Sequence, residues 1–267
     1  MDAIIGLKTF EETVYGVRLH GVETGSGPDT LLFLHGWCGN HASFKEQIKQ
    51  FLPTHRCIAV DLPGHGRSAK PQIDYSIVFF AEIINGLIRK LGLRDSMIVG
   101  HSMGGCIAVE MLHQDPDTAR GAVLVDPAMI LPTRGMVRSL NGSQAAMEEH
   151  GVRETYWNGM KRYMLRADDP EEISTWLHSV QRRVPSHVAL TAWQGMIDWN
   201  GRVALKAAAA RPLAYIAAEY PNNHRAEMKR AVPSLFWGEV LAGSHHCHLS
   251  EPVQVNAMMT AFLRRIG

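Results

Sequence analysis

Six short apolar runs punctuate the chain: LLFLH (31–35), CIAV (57–60), MIVG (97–100), AVLV (122–125), LAYIA (213–217) and FWGEVLA (236–242). Each is of strand length and lacks the alternation of a half-exposed strand, as expected where both faces of a sheet are covered. Between them, FKEQIKQFL, VFFAEIINGLIRKLGL and GCIAVEMLHQ space their apolar residues three and four apart, the signature of amphipathic helices. Strands that alternate with helices in this way predict an α/β fold around a mainly parallel sheet, with helices on both faces.

The rhythm breaks between residues 132 and 196. Here RGMVRSLNGSQAAMEEHG, ETYWNGMKRYMLRA, DPEEISTWLHSVQRR and SHVALTAWQGMI read as four successive helices with no strand among them. Asp169-Pro170-Glu171 starts the third, with proline expected just inside the helix and acidic residues in its first turn. The expected organisation is therefore a core of residues 1–131 and 197–267 interrupted by a helical cap of residues 132–196. The Met and Trp side chains of this region, Trp157, Met160, Met164, Trp176, Trp193, Met196 and Trp199, suit an adaptable apolar cavity, or equally a helical core.

Charge excludes some partners. Lys and Arg number 27 against 26 Asp and Glu, a formal net charge of +1, so no field recruits nucleic acid or an anionic membrane. A small hydrophobic molecule is the better expectation. The four cysteines lack the regular spacing of a disulfide framework or a zinc site, which suggests reduced thiols in the cytoplasm. The N-terminal stretch breaks its apolar residues with Lys8, Glu11 and Glu12, unlike a signal peptide, and no window has the roughly 20 apolar residues of a membrane span. A helical cap can double as a contact surface, so the reading is compatible with an oligomer.

VGHSMGG (99–105) carries the chemistry. Ser102 follows an expected strand and opens an expected helix, with Gly100 and Gly104 two residues to either side. A tight strand-to-helix turn lifts a serine hydroxyl clear of the backbone, and glycine relieves the crowding around it. The helix N-terminus behind it favours developing negative charge.

LLFLHGWCGN, AVDLPGHGRS and VGHSMGG, in this order and spacing, resemble the α/β-hydrolase family over essentially the whole chain. The resemblance implies an α/β-hydrolase fold with a Ser102 nucleophile and an oxyanion hole made by the backbone N–H groups of Trp37 and Met103. It implies no cofactor and no metal. His35 and Trp37 of the His-Gly loop, with Trp157, Trp176, Trp193 and Met196, are the expected substrate contacts. In the family the base follows the last strand, where AGSHHCHLSEP offers candidates; seven residues before Pro252 lies His245, and His246 is the alternative. HHCH also invites a zinc reading, but adjacent residues rarely converge on one ion and no second ligand cluster shows regular spacing elsewhere.

The acid departs from the commonest family pattern. The aspartate expected after strand seven is replaced by Pro221, which leaves Asp126, at the end of AVLVDPA, and Glu219 as candidates. Family members without the strand-seven acid keep theirs at the strand-six position, which favours Asp126. The expected reaction is hydrolysis of a carboxylic ester or lactone through Ser102, His245 and Asp126. Two other readings remain: a cofactor-free ring-cleaving dioxygenase that uses the His-Asp pair on an aromatic heterocycle, and a hydrolase-like ligand receptor.

Overall fold

The computed structural model describes residues 6–93 and 95–267, leaving out the side chains of residues 160–163. Its eight described strands are β1 (Lys8–Val14), β2 (Val17–Thr24), β3 (Asp29–Leu34), β4 (His55–Asp61), β5 (Met97–His101), β6 (Gly121–Val125), β7 (Leu213–Ala217) and β8 (Phe236–Glu239). They form one sheet in the order β1-β2-β4-β3-β5-β6-β7-β8. Pairing is parallel from β4 through β3 and β5 to β8, while β1 and β2 are antiparallel at one edge. Each of the six parallel strands coincides with one apolar run, although FWGEVLA outlasts β8 by three residues and LLFLH outlasts β3 by one. β1 carries no such run, because the edge strand KTFEETV leaves one face to water and needs no second apolar set; β2 is paired on both sides and mostly buried, but Arg18, His20 and Gly21 interrupt its apolar residues.

The helices follow in the gaps: α1 (Lys45–Phe51), α2 (Ile77–Leu91), α3 (Met103–Gln114), α4 (Arg134–His150), α5 (Val152–Tyr163), α6 (Glu171–Gln181), α7 (Ser186–Asp198), α8 (Gly201–Ala208), α9 (Arg225–Ala231), α10 (Cys247–Ser250) and α11 (Pro252–Ile266). The sheet divides the interior into two cores. Leu32, Leu34, Ile58 and Val60 face α2, α3, α8 and the inserted helices, whereas Leu31, Phe33, Val99 and Val123 face α1 and α11. Successive strand residues thus point into opposite apolar layers, the physical reason the central strands lack polar alternation. α4 to α7 occupy the segment read as four helices. α6 begins at Glu171, with Pro170 at its N-cap and so one residue outside the helix. No described helix is long and apolar enough to cross a membrane.

Two loops leave the carboxyl edge of β3 and β4, and buried polar groups bind them to each other. The His35 Nδ1–H donates to the Gly36 carbonyl at 2.8 Å, while its Nε2 accepts from the Leu62 N–H at 3.0 Å. His65 mirrors it, donating from Nδ1 to the Pro63 carbonyl at 2.9 Å and accepting from the Cys38 N–H at 3.3 Å. Asp61 joins them to β2: its Oδ2 accepts from His20 Nδ1 and the Arg67 N–H, and its Oδ1 from His41 Nδ1 and N–H, at 2.8–2.9 Å. Burial opposes ionisation of Asp61, yet the His41 ring and these N–H donors outweigh it and hold its carboxyl below the ordinary range.

Burial also lowers the His35 pKa to about 4 and the His65 pKa to about 3, so both rings are neutral in the folded protein. An unfolded chain protonates these imidazoles below pH 6.5, where the folded chain does not, so stability falls as pH drops from 6.5 towards 4. Each group contributes about 2 kcal/mol to that loss by pH 5. The Asp61 contribution is present above pH 3.8 and is lost below it. The thermal midpoint is expected to be level above pH 7 and to decline steadily below 6.5; a flat profile down to pH 4 would contradict neutral, buried rings. Separately, Phe33 is fully buried against Phe44, with ring centres 5.0 Å apart. Phe33→Ala should destabilise by roughly 3–5 kcal/mol, read as a lower urea midpoint with an unchanged slope.

Candidate active site

Ser102 stands between β5 and α3 at φ 53°, ψ −119°, a backbone conformation that L-residues rarely adopt. The surroundings hold it there. A Cβ on Gly100 would lie 2.2 Å from the Gly104 carbonyl oxygen, and one on Gly104 would lie 2.1 Å from that of Leu34, so neither position tolerates a side chain. The Ser102 N–H donates to Val125 O at 3.1 Å, tying the turn to β6. Met103 opens α3, and the first N–H groups of a helix have no intrahelical acceptor.

Asp126 extends β6 by one residue at φ 35° and is almost wholly buried. Its N–H donates to Ile216 O at 2.8 Å, and its Oδ1 faces the Ala218 N–H at 3.4 Å. Its Oδ2 accepts from His245 Nδ1 at 2.6 Å. His245 comes from the loop between β8 and α10, and its Nε2 lies 2.9 Å from Ser102 Oγ. With Nδ1 protonated toward the carboxylate, Nε2 presents a lone pair to the hydroxyl. Such a line can withdraw a proton from Ser102 and return it to a leaving group.

The competing residues are placed elsewhere. Glu219 lies just beyond β7 with its carboxylate on the Arg166 guanidinium, which also pairs with Asp168. His246 sits edge-on to the His245 ring, with centres 5.4 Å apart, and its Nε2 finds no hydrogen-bond partner among the described residues. Burial first, then the adjacent imidazoles, keeps His101 and His246 well below the ordinary histidine pKa; burial and His245 hold His248 at about 3.

Above Ser102 and His245 is a cavity of about 120 Å³. Trp37, Met129, Leu140, Tyr156, Trp193 and Met196 supply most of its apolar wall, and no cationic side chain faces it among the described residues. Trp37 ties the loop after β3 to the inserted helices: its Nε1 donates to Ala189 O at 2.8 Å, and its ring lies 4.7 Å from Tyr156 and 4.8 Å from Trp193. Met164 also lines the cavity.

Three expected substrate contacts do not line it. His35 is fully buried with both ring nitrogens spent on backbone groups, so it holds the loop from behind. Trp157 stacks on His178 with ring centres 4.2 Å apart, and Trp176 lies half-buried on α6. Adjacent helical residues point about 100° apart, so α5 turns Tyr156 to the cavity and Trp157 away. Trp199 donates to Glu110 at 2.8 Å outside the cavity, and the Met160 side chain lies outside the described residues. Tyr156 and Leu140 were missed because apolar content alone does not say which helix face turns inward, and Met129 because it lies in the loop after β6, where no periodicity marks a face. His101, adjacent to Ser102 in the elbow, was missed as a cavity residue because its place at the end of β5 does not reveal which way its ring turns.

Residues 29–156 match the family model for the alpha/beta hydrolase fold. Among curated proteins, 2-(acetamidomethylene)succinate hydrolase from Mesorhizobium japonicum is 36% identical over 120 residues, 45% of this chain and 43% of that protein. The chain spans less than half the length of the curated relatives it matches. Among solved structures, an esterase from Exiguobacterium antarcticum has a TM-score of 0.86 at 20% identity, covering 95% of this chain and 98% of that one. The enol-lactonase from Burkholderia xenovorans LB400 has a TM-score of 0.85 at 17% identity, covering 95% and 99%. With a serine held in a strained turn at the mouth of a mainly parallel sheet, these matches show that the chain has the α/β-hydrolase fold.

Proposed function

We propose that this chain is a serine hydrolase that cleaves a carboxylic ester or lactone of a small hydrophobic substrate through Ser102, His245 and Asp126. The observation that carries this reading is the continuous line Ser102 Oγ to His245 Nε2 (2.9 Å) and His245 Nδ1 to Asp126 Oδ2 (2.6 Å), facing an apolar cavity. His245 takes the hydroxyl proton as Ser102 attacks the carbonyl carbon, and Asp126 fixes the ring and stabilises the imidazolium. The tetrahedral oxyanion turns towards the backbone N–H groups of Trp37 and Met103. His245 then protonates the leaving alcohol, and water repeats the sequence on the acyl-enzyme. No step calls on a cofactor.

Residues 132–196 act as the cap on a core of residues 1–131 and 197–267. Support comes from α4, α5 and α7, which contribute Leu140, Tyr156, Trp193 and Met196 to the cavity. At about 120 Å³ the cavity is close in size to one that holds a benzene ring, roughly 150 Å³. Short or monocyclic substrates are therefore preferred. That no cationic side chain faces the cavity among the described residues favours neutral ones, although one relative is named for a succinate derivative.

Turnover of p-nitrophenyl acetate tests the assignment. Ser102→Ala should lower kcat/KM by roughly 10³-fold or more, and Asp126→Asn by about 10²- to 10⁴-fold. Glu219→Gln, which breaks only an ion pair near the surface, should stay within about threefold of wild type. Retained turnover in Ser102→Ala, especially with oxygen uptake on a heteroaromatic substrate, would replace the hydrolase reading with the dioxygenase one. Cavity size makes a second test: Met196→Ala should raise the octanoate-to-acetate ratio of kcat/KM by about tenfold, as the space left by one side chain admits a longer acyl chain. An unchanged ratio would place the acyl group elsewhere.

A further inference from the structure

Behind His245 lie three imidazoles that the proposed reaction does not use. His101 ends β5, immediately before Ser102, while His246 and His248 flank Cys247 at the start of α10. All three are buried, and one ring nitrogen of each lies within 4.8 Å of the other two. Ring centres are separated by 4.1 Å (His101 to His248), 5.1 Å (His101 to His246) and 6.0 Å (His246 to His248). Three imidazoles on a tetrahedral zinc ion, at about 2.1 Å per bond, place their ring centres about 5 Å apart. The observed triangle brackets that value, and with His101 Nε2–H donated to the His245 carbonyl at 2.9 Å its Nδ1 is the nitrogen left for an ion, so ring movements of about an ångström complete the geometry.

The second observation is an unmet need. His246 Nε2 and both nitrogens of His248 are buried without a hydrogen-bond partner among the described residues. A neutral imidazole carries one N–H and one lone pair, so His248 buries an unpaired donor together with an unpaired acceptor. An apolar side chain beside Phe44, whose ring centre is 5.2 Å away, would avoid that penalty. His101 and His246 also line the cavity, which gives an ion a way in.

We propose that His101, His246 and His248 form a binding site for a divalent, imidazole-preferring transition-metal ion of the zinc class, and that its occupancy inhibits the enzyme. The HHCH run supplies two ligands and the elbow supplies the third, a convergence its spacing along the chain does not reveal. Inhibition follows from charge. The His245 ring centre lies 4.9 Å from that of His101 and 5.4 Å from that of His246, so a dication among them opposes the imidazolium that His245 must become. The inhibitory effect rests on the hydrolase reading; the binding does not.

Calorimetric titration of the full chain with zinc chloride in a non-chelating buffer is expected to show one ion per chain with micromolar affinity. Zinc-edge X-ray absorption of that complex should report three imidazole nitrogens. His248→Phe, which keeps an aromatic ring beside Phe44 and touches neither Ser102 nor the cavity, should bind zinc at least tenfold more weakly. It should retain ester turnover and lose zinc sensitivity, while saturating zinc lowers wild-type turnover at least tenfold and EDTA restores it. No binding, fewer than two imidazole ligands in the absorption spectrum, or equal affinity in folded His248→Phe would overturn the site. His248→Asn replaces the Phe variant if circular dichroism shows that the latter does not fold. Zinc binding of the expected kind in a chain without ester turnover would uphold the site while the hydrolase reading fell.

Discussion

The strained turn at Ser102 is the constraint on which the site is built. A non-glycine residue in this conformation costs about 1–3 kcal/mol, so it persists only where its surroundings leave no alternative. Here α3 approaches β5 and β3 so closely that Gly100 and Gly104 have no room for a Cβ, and the Ser102 N–H is fixed to the next strand. Relaxing Ser102 to a helical or extended conformation would withdraw its hydroxyl from His245 and break that packing. Strain at one residue is thus held by two apolar cores, one on each face of the sheet.

The second layer of support is polar and buried. Asp61, His35 and His65 spend nearly all their hydrogen-bonding capacity on the loops after β3 and β4, fixing the backbone around Gly36 and Trp37 beside the cavity. Two kinds of buried histidine result. His35 and His65 are satisfied and serve as latches, whereas His246 and His248 carry nitrogens beside His245 that have no partner among the described residues. Burial depresses basicity in both groups, so pKa does not tell them apart; their hydrogen-bond partners do.

Much of the fold was legible because both faces of a parallel sheet are apolar, which turns each central strand into a run that reads directly from the chain. The edge strand β1 was not, since its one dry face demands no such run, and neither was β2, whose apolar residues are broken by Arg18, His20 and Gly21 although most of it is buried. At the site, the elbow could be read from its glycines, and Asp126 and His245 from a family resemblance. The cavity wall was less legible. Trp157 and Tyr156 are neighbours in sequence, and only the rotation of α5 against Trp37 gives the cavity to the tyrosine. His35 looked like a contact because it begins the His-Gly loop, but the demand of the Leu62 N–H for an acceptor holds it behind that loop.

The sequence by itself determined the alternation of strands and helices, the helical interruption before β7 and the turn that exposes a serine, because these depend on local periodicity and on where glycine sits. Only the tertiary structure decided which acid meets His245. Asp126 and His245 are 119 positions apart and Ser102 and His245 are 143 apart, and they meet because parallel strands deliver their carboxyl ends to one edge of the sheet. Glu219 leaves that same edge but turns to Arg166, a choice made by a side chain on the inserted helical segment rather than by anything local to Glu219.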